Sequence, residues 1–405
     1  MIIDQSDQRD EILCFCLGPY PFKNMAIRNR LLFFADHFRM ILVSQKPGDL
    51  TEEIKKRGGE THPCPFKSRS HYFGLVIFFL WACYRSVGFA FFRRQRIKYI
   101  YSIHDITMIL GWWARLVLGH PKWISDILDD PALEWNNWKA RTNLTAGQKG
   151  IRIILWLLEL IKQKILKRAD LSIVQGVTPE KTLPQLLVKN YALDLKKTIC
   201  VPNGVALEDI RPSSTLRPVD QSAFVIFYVG YISRIRGIGT ILEALAELRR
   251  RIPAARLELA GAAKEADRQW LSEEVERLAL QGAVRYHGEM PSEDVWRNIE
   301  SSSVCVFPFE LSYLDYVIPV KVFEFLALRR PLVSSNLEGV ASVIQHGYNG
   351  LLVEPGNVDA WVKALYALAT DAELYQRLSN HARPSIESFA WENINQRILQ
   401  AMTAS

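Results

Sequence analysis

The stretch Phe224-Val-Ile-Phe-Tyr-Val-Gly230-Tyr-Ile-Ser-Arg234-Ile-Arg236-Gly237-Ile-Gly239 decides the fold. A short apolar, β-branched and aromatic run reads as a strand buried on both faces, the kind found in parallel sheets. Glycines close the run, and a helical pattern follows, so the unit is strand, tight turn, helix. Comparable runs recur along the chain at the spacing of βαβ units. The first half holds Glu11–Leu17, Met40–Ser44, Lys98–Ser102, Lys122–Asp126, Leu171–Gln175 and Thr198–Pro202. The second holds Phe224–Gly230, Arg256–Gly261, Val284–Gly288, Ser303–Pro308, Pro331–Ser335 and Gly350–Glu354. Two such sets imply an α/β protein of two doubly wound, Rossmann-like domains facing across a cleft, with ligands at the carboxyl ends of the strands.

Length and composition agree with that division. For 405 residues two domains are a better prior than one, and an apolar share of 49% is enough for two cores. The polar, proline-bearing segment 208–222 reads as a linker between an N-terminal domain, 1–207, and a C-terminal domain, 223–385. Residues 386–405 read as a last amphipathic helix that packs back on the first domain. The six cysteines lack a metal-ligand rhythm and read as buried thiols of a reducing cytoplasm. The N-terminal residues, rich in Asp and Gln, show no signal-peptide core.

Charge is unevenly shared. Residues 1–215 carry 31 Lys and Arg against 20 Asp and Glu, whereas the remainder carries 19 against 23. A basic first half suits an anionic surface. Nucleic acid is not the expected partner, because zinc spacing, a basic recognition helix and an aromatic RNA-binding signature are all missing. Two apolar stretches favour phospholipid. His71 to Phe92 is interrupted by Arg85 and closed by Arg93, Arg94 and Arg96; Ile151 to Ile161 runs into Lys162, Lys164, Lys167 and Arg168. Both can lie in a bilayer interface; the plain alternative is a pair of core helices with a wet side.

Two loops carry chemistry. After the strand Phe224–Val229, Arg234 and Arg236 sit between glycines at a helix start, where guanidinium groups bind phosphate oxygens bidentately. Solvated arginines at an ordinary turn are the alternative. In Pro319-Val-Lys321-Val-Phe-Glu324-Phe-Leu-Ala327, Pro takes the first helical position and the free N–H groups make an anion site. Lys321 and Glu324 share one face, a cation for a diphosphate and a carboxylate for vicinal hydroxyls. That pairing describes a nucleotide-sugar pocket; an exposed surface ion pair is the alternative.

The second half resembles the donor-binding domain of glycosyltransferase family 4 (group 1), the retaining nucleotide-sugar enzymes of GT-B fold. The resemblance rests on Cys200-Val-Pro-Asn-Gly-Val205, Tyr228–Gly237, Pro319–Ala327 with Arg330-Pro331, and Gly347–Gly356, in the family's order and spacing. More loosely, Leu17-Gly-Pro-Tyr-Pro21, Ala26–Arg30 and Trp123–Pro131 resemble landmarks around the acceptor cleft. The resemblance implies that Glu324 accepts hydrogen bonds from the ribose, that Arg236 stands where the family has a phosphate-binding Lys, and that Lys321 assists. It also implies that Gly18 lets the backbone approach the diphosphate. Two positions depart from the pattern: Tyr231 replaces the usual Arg, with Arg234 as its substitute, and Tyr316 occupies the position eight before Glu324, where a Glu is common.

These features imply a retaining glycosyltransferase that moves a sugar from a nucleotide-diphospho-sugar to a polysaccharide or lipid-linked oligosaccharide acceptor. The donor is a co-substrate, and no cofactor or metal is expected, since Asp-x-Asp is missing. Asp129 is the first candidate for a polarising or basic group and His104 the second, with Asp126 beside them; turn-forming and capping roles are the alternatives. A dinucleotide oxidoreductase is disfavoured by the missing Gly-x-Gly-x-x-Gly turn. A non-catalytic nucleotide-sugar-binding scaffold subunit is the competing reading. The expected location is cytoplasmic, peripheral on the inner face of the plasma membrane.

Overall fold

The computed structural model describes residues 9–17, 25–66, 71–103, 106–128, 146–176, 182–212, 220–310 and 318–404. The chain divides into two compact units: Met1–Val201 with Trp391–Ser405, and Pro202–Ala390.

The first unit is built on β1 (Glu11–Cys16), β2 (Arg39–Ser44), β3 (Glu60–Pro63), β4 (Ile97–Ile103), β5 (Lys122–Ile127), β6 (Leu171–Gln175) and β7 (Thr198–Val201). They form one parallel sheet in the order β3-β2-β1-β4-β5-β6-β7. The interior strand β1 is buried throughout, which is why its residues after Glu11 read as an unbroken apolar run. β3, which the sequence pattern does not reveal, is a half-exposed edge strand without an apolar run. Parallel crossovers are right-handed, so connections running from β3 toward β7 place their helices on one sheet face. Those helices are His71–Arg93, Ile106–Val117, Ala146–Ile165 and Thr182–Tyr191. Helix Trp391–Thr403 lies against helix Met25–His37 within this unit.

The second unit holds β8 (Val225–Val229), β9 (Arg256–Ala260), β10 (Val284–Tyr286), β11 (Val304–Phe307), β12 (Leu332–Ser335) and β13 (Leu351–Val353). All pairings are parallel, in the order β10-β9-β8-β11-β12-β13. In both sheets the order reverses beside the first strand, between β1 and β4 and between β8 and β11. Such a switch point leaves a crevice at the carboxyl ends of the two strands, because their following helices pack on opposite faces.

The units part at Val201–Pro202 rather than after residue 207. Asn203 Nδ2 already donates to the Ile318 carbonyl at 2.8 Å, and the Leu207 and Ile210 carbonyls accept from Arg383 at 2.9 and 2.8 Å. Arg383 also donates to the Ala327 carbonyl at 2.9 Å, so one guanidinium ties this segment to the end of helix Val320–Ala327. Burial lowers the Arg383 pKa from its ordinary value. All six cysteines are free, five of them buried; burial pushes the Cys305 thiol up to about 12 and Cys14 well above its usual value.

Candidate functional site

The site is built around the switch point of the second sheet. β8 ends at Val229, and the chain turns through Gly230–Ser233 into a single 3-10 turn, Arg234–Arg236, before helix Ile238–Arg249. Gly237 joins turn to helix at φ 72°, in the left-handed region. A Cβ there would sit 1.7 Å from the Pro308 carbonyl oxygen, just past the end of β11. The glycine therefore lets the two strand ends close on each other. Gly261 serves the same purpose on the β9 side, where a Cβ would lie 1.9 Å from the Gly230 carbonyl oxygen.

That approach places Arg236 at the switch point. Its guanidinium carbon stands 4.5 Å above the centre of the Phe309 ring, and Phe309 in turn stacks on Phe307 at 4.2 Å. Stacking fixes the planar cation while leaving its N–H donors free to bind a ligand. The Tyr228 hydroxyl, raised from its ordinary pKa by burial with nearby Arg236 opposing, donates to the Tyr231 carbonyl at 3.0 Å. Arg234 goes elsewhere: it is exposed and lies 5.6 Å from the centre of the Trp270 ring, on helix Glu265–Arg277 after β9. The two arginines therefore diverge, and only Arg236 faces β11.

The helix that follows β11 runs Val320–Ala327 with Pro319 as its N-cap, one position before the first-turn place expected from sequence. Its N-cap, a proline, offers no side-chain hydrogen bond to the first N–H groups. Lys321 Nζ donates to Glu324 Oε2 at 2.8 Å. Glu324 is buried, 8% exposed, so the exposed surface pair is ruled out. A carboxylate held in an apolar helix face with one neighbouring ammonium keeps acceptor capacity for a ligand. In a parallel sheet this helix starts at the same edge where β8 and β11 end, so Arg236, Lys321 and Glu324 belong to one edge of one unit.

Sequence reading missed three contributors. Glu310 follows Phe309 and accepts a hydrogen bond from Thr240, joining the β11 end to the helix after β8. Phe309 carries Arg236, and Asn203 of the Pro-Asn-Gly segment holds the backbone just before the Lys321 helix. Only the Asn had a local signal, its motif. Gly18, His104, Asp129 and Tyr316 lie outside the described residues. Asp126 is a different matter: it is 1% exposed, pairs with buried Arg30, and accepts from the Tyr101 hydroxyl. It is a core partner rather than a group open to substrate. Among the described residues no three His, Cys, Asp or Glu side chains gather to hold a metal ion.

Gly237→Ala combines a left-handed backbone with a clash against a carbonyl. We expect it to destabilise the second unit by about 2–4 kcal/mol, read as a lower Tm in thermal unfolding. An unchanged Tm would mean that the β8 and β11 ends do not meet as described.

Residues 216–384 match the family described as glycosyl transferases group 1. A D-inositol 3-phosphate glycosyltransferase of Paenarthrobacter aurescens (strain TC1) is 28% identical over 213 residues, 51% of each chain. An alpha-D-kanosaminyltransferase of Streptomyces kanamyceticus is 30% identical over 160 residues, 40% of each. The chain thus spans about half the length, or less, of the curated relatives it matches. The crystal structure of Anabaena Alr3699/HepE in complex with UDP superposes with a TM-score of 0.70 at 16% identity, covering 97% of this chain and 99% of that one. That similarity shows the fold, two parallel-sheet α/β units of the GT-B kind. Residues 216–384, the region that carries Arg236, Lys321 and Glu324, are thus similar to the glycosyl transferases group 1 family.

Proposed function

We propose that the protein is a retaining glycosyltransferase that moves a sugar from a nucleotide-diphospho-sugar to a polysaccharide or lipid-linked oligosaccharide acceptor. The observation that carries this reading is the single sheet edge shared by a stacked guanidinium, Arg236, and a helix start bearing Lys321 and buried Glu324. The match of residues 216–384 to the family described as glycosyl transferases group 1 supports it, and the relatives are named as transferases of sugars.

In this reading Arg236, Lys321 and the first N–H groups of helix Val320–Ala327 hold the diphosphate. Glu324 accepts hydrogen bonds from the ribose hydroxyls. When the bond from the anomeric carbon to the diphosphate oxygen breaks, negative charge grows on the leaving group, and groups already in place stabilise it without reorganising. The acceptor hydroxyl attacks from the same face. A glycosidic bond forms, the hydroxyl proton passes to a phosphate oxygen, and a nucleoside diphosphate leaves. The charge compensation comes from side chains and a helix dipole rather than from a resident metal or cofactor. Asp129 and His104 are the proposed assistants for the acceptor, and Gly18 and Tyr316 the further donor contacts.

Thermal stabilisation by UDP, GDP, ADP and their sugar conjugates tests the reading. One nucleotide series is expected to raise Tm, by an amount equivalent to about 2.7 kcal/mol at a hundred times its Kd. That series should also release nucleoside diphosphate in the presence of an acceptor glycan. Stabilisation without turnover of any donor would contradict catalysis; no stabilisation by any nucleotide would contradict the site.

A further inference from the structure

Three helices of the first unit pack side by side on one sheet face: His71–Arg93 against Ile106–Val117, and Ile106–Val117 against Ala146–Ile165. The first is apolar on two opposite sides. Phe78, Ala82, Ser86 and Phe89 recur at helical spacing and are buried. Val76, Leu80, Tyr84, Val87 and Phe91 recur at the same spacing and are exposed, with Leu80 at 64%, Tyr84 at 73% and Phe91 at 80%. Phe92 adds 87%. The third helix exposes Ile153, Ile154, Trp156, Leu157 and Ile161, and Leu116 is exposed on the second. Scattered exposed apolar residues are ordinary; two exposed stripes on helices of one layer, with Leu116 on the helix between them, are not.

Its charge is one-sided. The three helices contain a single acidic residue, Glu159, which is 3% exposed and paired with Lys162 and Tyr191. Their carboxyl-terminal ends meet at one edge of the unit. A Cβ at Gly119, just after the second helix, would lie 2.5 Å from Arg94 Nε. Arg115 in that helix's last turn donates to the Arg168 carbonyl at 2.6 Å. Exposed Arg94, Arg96, Lys98, Lys164, Lys167 and Arg168 follow the first and third helices or close them, flanking Phe91, Phe92 and Ile161.

We propose that the outer face of this helix layer docks on an anionic phospholipid surface, its apolar stripes entering the headgroup boundary and the cationic edge meeting lipid phosphates. An apolar face with a cationic rim and no exposed carboxylate on its helices matches that partner in both chemistry and sign. The helix His71–Arg93 holds a window, Gly74–Arg93, long and apolar enough to cross a bilayer. It lies flat instead, because Phe78, Ala82, Ser86 and Phe89 are already packed into the unit and a crossing would strip them out. Docking is read without any transfer assay, so it stands or falls apart from the proposed activity.

Sedimentation of the full chain with phosphatidylcholine vesicles, with and without phosphatidylglycerol, tests the proposal. Wild type is expected to bind the anionic vesicles, more weakly as salt rises. The double variant Tyr84→Asp/Phe91→Asp should lose at least about tenfold in partitioning. The triple variant Arg94→Glu/Lys164→Glu/Lys167→Glu should lose about a hundredfold and its anionic preference. All these positions are exposed, and an unchanged thermal transition confirms folding; Phe92→Ser gives a milder variant if one does not fold. Binding indifferent to phosphatidylglycerol, or variants that sediment like wild type, would overturn the proposal. So would a wild-type dimer that dissociates in Tyr84→Asp/Phe91→Asp while no vesicle binding is seen, since a second copy would then cover the face.

Discussion

Arg236→Ala is expected to lower kcat/KM for sugar transfer about a hundredfold to a thousandfold, the loss typical of removing one preorganised donor from a site of developing negative charge. Stacking on Phe309 holds the guanidinium at the end of β11 before any ligand arrives, so its stabilisation is available in the transition state without reorganisation. Most of the loss should therefore fall on kcat. Arg236→Lys keeps the charge but not the planar fork or the ring stacking, and should recover only part of the rate. Arg234→Ala is the control. Its side chain lies over Trp270 on the far side of the loop, and we expect less than about a tenfold loss. Steady-state kinetics on the three variants decide the matter. Equal losses in Arg234→Ala and Arg236→Ala would show that the loop closes differently around donor.

Asp126→Ala is expected to destabilise the first unit by about 3–5 kcal/mol, a large part of a total that is usually about 5–15 kcal/mol. Arg30 is 2% exposed, so removing its carboxylate leaves a buried cation without its counter-ion and the Tyr101 hydroxyl without its acceptor. Replacing both charges, as Arg30→Met/Asp126→Leu, should restore most of the loss, because an apolar pair of similar volume carries no desolvation penalty. Thermal and urea unfolding of the full chain read both effects. Asp126→Ala with an unchanged transition but abolished transfer would instead make Asp126 a catalytic group.

The contrast between these residues shows what sequence could and could not tell. Strands buried on both faces, such as β1 and β8, are legible as apolar runs because nothing on them needs to face water. The edge strand Glu60–Pro63 is half-exposed, so neither an apolar run nor alternation marks it. Gly237 was legible as a turn, yet its reason, the Pro308 carbonyl pressed against it, depends on strand order. The Thr240–Glu310 bond joins residues 70 apart, and the Arg30–Asp126 pair residues 96 apart. Such pairings follow from which strands become neighbours, information that no local spacing holds. Asp126 therefore looked like an open acid beside Asp129, although its carboxylate is committed to the core.

The most direct test of the diphosphate and ribose site is isothermal titration of the stabilising nucleoside diphosphate and its 2′,3′-dideoxy analogue into wild type, Arg236→Ala and Glu324→Gln. Wild type should prefer the ribose form by about tenfold or more, since the hydroxyls bond a buried charged acceptor. Arg236→Ala should weaken both ligands alike, and Glu324→Gln should largely erase the preference. A preference that survives Glu324→Gln undiminished, or a wild type that binds no nucleoside diphosphate, would contradict the assignment of Arg236, Lys321 and Glu324 to one donor site.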